Sequence, residues 1–292
     1  MSFYKAMAIT FAFTLLIAPA LAEFKGKQGE RATYESLTNG QSAGTAIYGV
    51  EGKYRIGNIA TQKFQITDSS GGKIEGYLDN NGKPIRVDIF DSSASQATMT
   101  TAFDHQKKVA TISYEAPALY GNNTTTQKQN MTVNITSNTY DMLFLPQFLR
   151  YMPIKEGYRT SFQLFNAPGA VMASSFAPLF MMMGITLDPS ALAMADATLR
   201  VVGRESIRVG SSTYDCYKVI VNVTMNIPPQ LAAIDPSLAS QSSEQQMWLR
   251  TSDLLMVRSY NEEATAITDP QTNTPRQQKT TYETRLTSLT YA

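Results

Sequence analysis

The sequence is poor in the side chains on which most enzyme active sites depend. Among 292 residues there is one histidine, His105, and one cysteine, Cys216. Zinc sites need several His or Cys ligands and a Ser-His-Asp triad needs a positioned histidine, whereas His105 in "FDHQKK" is typical of a solvated loop. Gly-rich phosphate loops, G-x-S-x-G and Asp-rich calcium loops are missing as well. We therefore expect a non-enzymatic protein, with no catalytic residue, metal or cofactor.

The lone cysteine excludes an intramolecular disulfide bond. Cys216 stands in the strand-like run "YDCYKVIV", where no adjacent cation or histidine would lower the pKa of its thiol. We expect a small buried hydrophobe, with a reactive or interchain thiol as the alternative.

The N-terminus has the features of a secretory signal peptide. Lys5 is followed by the apolar run "AMAITFAFTLLIAPA" and by small residues that suit cleavage after Ala22. The sequence thus predicts a leader over residues 1–22 and a periplasmic chain, with an uncleaved anchor as the alternative. Glu23, and not a cysteine, follows the cleavage site, which argues against a lipid anchor.

Neither sign of charge predominates. Lys plus Arg number 25 and Asp plus Glu number 24, so loss of Lys5 with the leader would leave 24 of each. A neutral chain without long basic runs lacks the charge that nucleic acid binding requires, and we expect no such partner.

Alternation of apolar and polar residues dominates the rest of the chain. It occurs in "PIRVDIFD", "MTVNIT" and "YKVIVNVTM", and turn signals such as "TNG", "SSGG" and "DNNGKP" separate the runs. Closely spaced runs of this kind favour hairpins over βαβ units. The predicted fold is mainly β: a large curved antiparallel sheet or open half-barrel, with a few short helices. Residues 23–292 are expected to form one β domain, or two β halves over 23–137 and 138–292.

Two short helices are predicted beside the strands. "LPQFLRYMP" has apolar residues at helical spacing, with Pro146 in the first turn. "DPSALAMADA" has Asp188 as an N-cap and Pro189 at the first helical position.

The segment Ser174–Leu187, "SSFAPLFMMMGITL", carries no charge. A helix beginning at Ser175 would place Phe176, Leu179, Phe180 and Met183 in one stripe, with Met181 and Met182 on the other side. Such a helix is apolar nearly all round and is expected to be buried. Three surroundings would bury it: a bilayer, the protein's own core, or a concave sheet that also admits an apolar ligand. No transmembrane span is expected once the leader is removed.

Trp248 is the only tryptophan, and it lies in "QQMWLRTSDLLMVRSY". Alternation places it on the face opposite Met247 and Leu249, either as a packed aromatic or as a platform for a ligand. "RTSD" after it predicts a tight turn.

The second half resembles a known family through the order of "LPQFLRYMPIKEGY", "VVGRESIRVGSSTYDCYKVIV", "MWLRTSDLLMVRSY" and "TRLTSL". The family comprises exported bacterial proteins known as a domain of unknown function, and its fold is similar to that of the periplasmic lipoprotein carriers. The match covers mainly Asp141 to Ala292. This chain departs from the pattern by two apolar insertions, Ala167 to Asp196 and Ile227 to Gln241. The resemblance implies a concave apolar face for acyl chains, and no catalytic residues.

We therefore expect an apolar ligand, such as a lipid, an acyl chain or a lipidated partner, in the concave face of the sheet. An envelope structural or assembly protein that docks its apolar insertion on a partner chain is the alternative. The candidate ligand-binding residues are Phe176, Leu179, Phe180, Met182, Met183, Leu231, Ile234 and Trp248.

Overall fold

The computed structural model describes residues 24–92, 94–117, 126–182, 184, 188–225, 227, 242–268 and 275–291. The predicted leader, Met183 and most of the second apolar insertion, including Leu231 and Ile234, lie outside these residues.

Fifteen strands form one sheet in the described chain. They are β1 (Glu30–Thr38), β2 (Gln41–Ile56), β3 (Ile59–Asp68), β4 (Lys73–Asp79), β5 (Pro84–Phe90), β6 (Met99–Asp104), β7 (Val109–Pro117), β8 (Thr126–Asn134), β9 (Thr139–Asp141), β10 (Arg159–Phe165), β11 (Met194–Val209), β12 (Ser212–Met225), β13 (Ser242–Arg250), β14 (Met256–Thr268) and β15 (Pro275–Tyr291). The helices are α1 (Leu145–Leu149) and α2 (Ala167–Met182), with 3-10 turns over Met142–Phe144 and Pro189–Ala193.

The sheet consists of two meanders that meet at the chain ends. Its order is β8-β7-β6-β5-β4-β3-β2-β1-β15-β14-β13-β12-β11-β10-β9, so β1 pairs with β15. That pairing is antiparallel, from Glu30 opposite Tyr291 to Thr38 opposite Tyr282. Neighbouring strands are antiparallel except β9 and β10, which are parallel. The sheet is curved and does not close. The mainly β prediction, with a curved antiparallel sheet and few helices, is confirmed.

Turn chemistry sets the register of the hairpins. Between β1 and β2, Asn39 and Gly40 both have positive φ, at 51° and 78°. This is the backbone of a two-residue turn whose twist matches that of paired strands, and Asn-Gly is the pair that adopts it most easily. The predicted turn at "TNG" is therefore present for the expected reason.

Residues 141–154 pack on one face of the sheet, which we call the inner face. The Asp141 carboxylate caps the first 3-10 turn by accepting from the Leu143 amide at 2.9 Å, and Pro146 lies in the first turn of α1. We call residues 141–154 the plug, because its side chains are buried against both meanders. Leu145, Phe148, Leu149 and Met152 join the core of β1 and β9–β15, whereas Phe144 and Tyr151 join the core of β2–β8.

Close packing under the plug requires a glycine in β4. A Cβ placed on Gly76 would collide with the ring of Phe144. A larger residue would push the plug away from the first meander, since a packed interior has no space to absorb it.

Two sequence expectations about polar or reactive residues have different outcomes. Cys216 is buried, as expected, and burial raises the pKa of its thiol to about 12. The solvated position predicted for His105 is wrong: its ring is half-buried and stacks on Phe103, and Nε2 lies 2.7 Å from the Pro84 carbonyl oxygen. Burial lowers the pKa of this histidine.

Candidate functional site

Helix α2 begins eight residues before the predicted start at Ser175. The side chain of Asn166 caps it by accepting from the Gly169 amide at 3.2 Å, and Pro178 lies inside the helix. Ser175 lies within the helix and donates to the Val171 carbonyl oxygen at 3.0 Å. The competing cap at Asn166 explains why the helix is longer than the sequence indicated.

The buried side of α2 consists of small residues. Ala167, Ala170 and Ala173 are buried. The 3-10 turn after α2, capped by Asp188 as predicted, packs against it and also contacts β8. Ser174 reaches β7, where its hydroxyl lies 3.1 Å from that of Tyr114. Because alanine is small, the helix approaches its neighbours closely on this side, and its large side chains lie on its other sides.

Those large side chains are the notable feature of α2. Met172, Met181 and Met182 are 57 %, 69 % and 86 % exposed, respectively. Phe180 is partly buried and packs near Ala173, with Leu192 and Ile227. The expectation that this apolar helix is buried on all sides is therefore wrong, because Met182 is exposed. The helix is held by its alanine side, so the methionines at its C-terminal end extend into solvent.

The candidate residues are only partly brought together. Phe180 and Met182 share the end of α2, and Phe176 and Leu179 lie in the same helix, although only their backbone is described. Trp248 is elsewhere: it packs with Cys216 and Val257 on the face opposite Met247 and Leu249, which we call the outer face. The predicted opposition of Trp248 to those two residues is confirmed.

The inner face offers little free space beside the plug. A cavity of about 10 Å³ lies between β1, β2 and α1, next to Glu30, Gln147, Arg150 and Met256. Such a volume is about that of one water molecule. An acyl chain would need far more room, so this part of the inner face has no cavity of ligand size.

The charged group beside that cavity was not among the predicted features. Arg150 makes a two-pronged ion pair with Glu30, with nitrogen–oxygen distances of 2.5 and 3.0 Å, and both residues are buried. Its Nε also donates to the Asp253 carbonyl oxygen at 3.2 Å. An arginine directly after the apolar helix run "LPQFL" was the available signal, because a charge at such a position needs a buried partner.

Within the described residues, no cluster of three or more His, Cys, Asp or Glu side chains is arranged to hold a metal ion. None of the described helices combines the length and apolar character that crossing a bilayer requires.

The family model for "Protein of unknown function (DUF3108)" matches residues 26–171, which is half of the chain. The chain belongs to the DUF3108 family. The match covers the first meander, the plug and the start of α2. The resemblance to a family known as a domain of unknown function is confirmed. The match overlaps the stretch that mainly carried the resemblance, Asp141 to Ala292, over residues 141–171.

Solved structures similar to this DUF3108 chain include bacterial proteins of comparable length. A candidate lipoprotein of Parabacteroides distasonis is 14 % identical, with a TM-score of 0.38 over 92 % of this chain and 99 % of that one. A candidate exported protein of Bacteroides fragilis with a YmcC-like fold is 11 % identical, with a TM-score of 0.33 over 92 % and 99 %. The hypothetical lipoprotein YmcC of Escherichia coli is 10 % identical, with a TM-score of 0.33 over 98 % and 96 %. Curated proteins give no significant match.

Proposed function

We propose that this DUF3108 protein is a non-enzymatic, exported binding protein of the bacterial periplasm. Its ligand is an acyl chain, free or carried by a lipidated partner, and the methionine-bearing end of α2 receives it. The exposure of Met181 and Met182 at the end of α2 is the observation that supports this proposal most directly.

The chemistry of methionine suits such a role. Its side chain is unbranched, flexible and polarizable, so it adapts to apolar surfaces of varied shape. Leaving two large apolar side chains in water has a cost that binding would remove, at roughly 1.5–3 kcal/mol for each fully buried side chain. Partly buried Phe180 extends the same apolar surface towards the body of the protein.

The site differs in position from the one expected from the sequence. Pockets for drug-sized ligands measure about 300–1,000 Å³, whereas the cavity beside the plug holds about 10 Å³. The plug occupies the inner face of the described sheet, and we therefore assign binding to the end of α2 and not to the space beside α1.

Binding of a fluorescent fatty acid to the purified protein tests the proposal. We expect saturable binding, weakened at least about tenfold in a Met181→Gln, Met182→Gln double variant, because about 1.4 kcal/mol corresponds to tenfold in affinity. The matched control is Ile59→Gln, Val202→Gln, which changes two exposed apolar residues of the sheet instead. An absence of saturable binding, or equal weakening in both double variants, would overturn the assignment.

A protein partner is the second candidate, favoured by the absence of a ligand-sized cavity beside the plug. In that case α2 docks on another chain as an envelope assembly element. The two candidates separate by size measurement: a complex that Met182→Asp disrupts, together with no uptake of the fatty acid, supports docking. Fatty acid uptake by a monomer supports the first proposal.

A further inference from the structure

A row of basic side chains crosses the outer face of the second meander. Lys218 of β12 is the direct cross-strand partner of Trp248, Trp248 of Arg258, and Arg258 of Arg285 in β15. Direct partners on neighbouring strands present their side chains on the same face. Trp248 is on the outer face, and the three cations therefore share it.

Two of these cations lie close to the indole ring of Trp248. The Lys218 ammonium and the Arg258 guanidinium lie 5.2 and 4.9 Å from the centre of the Trp248 ring. Arg258 and Arg285 are directly opposite each other, an arrangement that destabilises a sheet unless an anion lies between the two charges. The Glu283 carboxylate supplies part of that compensation, at 2.6 Å from the Nε atom of each arginine.

The tip of the β11–β12 hairpin adds a third arginine. Arg208, Val209 and Gly210 line one side of a cleft of about 230 Å³, and Arg258, Glu283 and Arg285 line the other. The Arg208 side chain is exposed, donates to the Gly210 carbonyl oxygen at 3.3 Å, and forms no ion pair with any carboxylate of the described residues. Three arginines therefore line the cleft with one carboxylate. Glu35, the direct partner of Arg285 in β1, adds a second carboxylate beside it, so one positive charge remains in excess.

We propose that this cleft binds a phosphate monoester or inorganic phosphate. A guanidinium group presents paired donors that match two oxygens of a phosphate, and the negative charge of the phosphate would compensate the excess positive charge. The volume is below the range of drug-sized pockets and suits a phosphate group with a small substituent. The site lies on the outer face, opposite the plug, and it does not depend on the function proposed for α2.

The tryptophan provides a direct signal of binding. Trp248 is the only tryptophan in the chain, so its emission reports on this location alone. An anion that draws the Arg258 guanidinium away from the ring changes the field at the indole. Titration of the full-length mature protein with inorganic phosphate at constant ionic strength should therefore give a saturable change in emission.

Substitution of Arg208 identifies the cleft. Arg208→Gln should weaken phosphate binding about tenfold, since one charge-assisted pair is removed. Arg55→Gln, at an exposed arginine beside the β2–β3 turn, removes the same charge and should leave the affinity unchanged. Circular dichroism checks that both variants are folded. The proposal is overturned if the two variants lose affinity equally or if chloride produces the same emission change.

Two further titrations distinguish the sources of the phosphate. Glycerol phosphate represents a soluble ester, and vesicles containing phosphatidic acid represent a lipid headgroup. A response to the soluble ester that Arg208→Gln weakens assigns the site to solutes. A response to vesicles alone, also weakened by Arg208→Gln, assigns it to a headgroup. If the emission of Trp248 is unchanged in all the titrations and calorimetry detects no binding, the site is refuted.

Discussion

Asp141 shows how strongly one position depends on its surroundings. Its carboxyl is fully buried where β9 enters the plug, and burial raises its pKa to about 7 although the amides of Leu143 and Phe144 act in the opposite direction. A carboxyl that holds its proton more tightly in the folded state stabilises the fold most at low pH. That contribution is lost as the pH rises from about 3.8 towards 7.

Replacement of Asp141 by asparagine should remove this pH dependence and keep an oxygen that accepts from the Leu143 amide. From pH 4.5 to pH 8, the free energy of unfolding of the variant should rise relative to that of the natural protein by about 3 kcal/mol. One pKa unit corresponds to about 1.36 kcal/mol, and part of the contribution is already lost at pH 4.5. Urea unfolding at the two pH values measures the difference. If the difference in stability between the two proteins is the same at both pH values, the assignment of a raised pKa to Asp141 is contradicted.

The two helices differ in how deeply they are packed against the rest of the protein. Phe148 of α1 stacks on Tyr140 with ring centres 3.5 Å apart and meets the edge of Phe162 at 5.3 Å. Helix α2 packs through alanines, and Met182 at its end is exposed. We therefore regard α1 as part of the core and the end of α2 as available for binding.

Truncation of one side chain in each helix tests that division. Phe148→Ala should lower the free energy of unfolding by roughly 3–5 kcal/mol, because it leaves a cavity beside the rings of Tyr140 and Phe162. Met182→Ala should change it by less than about 0.5 kcal/mol, as is usual for exposed positions. Chemical denaturation measures both. Comparable losses in the two variants would show that α2 is as deeply packed as α1.

At the scale of the whole molecule, the plug is connected to strands from both meanders. Arg150 pairs with Glu30 of β1 and donates to Asp253, which follows β13. Because β1 also pairs with β15, the first and the last strand of the described chain meet beside this ion pair. A buried charge of this kind is costly when its partner is removed.

Arg150→Met should therefore destabilise the protein by about 3–5 kcal/mol, since Glu30 is left buried without a cation. Adding Glu30→Gln to that variant should recover part of the loss. Arg31→Met is the matched control, because Arg31 pairs with Glu51 at the surface and such pairs contribute at most about 1 kcal/mol. Equal destabilisation by Arg150→Met and Arg31→Met would exclude the role assigned to the buried pair.

Local patterns determined much of what could be predicted. Strict alternation in "PIRVDIFD" specifies a strand with one apolar face, and "TNG" specifies the hairpin turn that the backbone of Asn39 and Gly40 adopts. The short helix at Leu145 follows from its apolar spacing and Pro146. Neighbours along the chain decide such features, and a sequence contains those neighbours.

The candidate site depended on contacts between distant segments. The length of α2 and its two sides were mispredicted, because the alanines that hold it are unremarkable until the 3-10 turn and β7 are placed beside them. The basic cleft on the outer face gave no sequence signal either, since Arg208, Arg258 and Arg285 come from three strands far apart in the chain.

The sequence by itself thus determined the strands, the turns, the burial of Cys216 and the opposition of Trp248 to Met247, since these follow from alternation over a few residues. Only the tertiary structure decided that the plug occupies the inner face, that methionines of α2 extend into solvent, and that three arginines share a cleft. The burial of a side chain and the balance of charge around it depend on segments that are distant in the sequence, and the curvature of the sheet decides which of these segments come into contact.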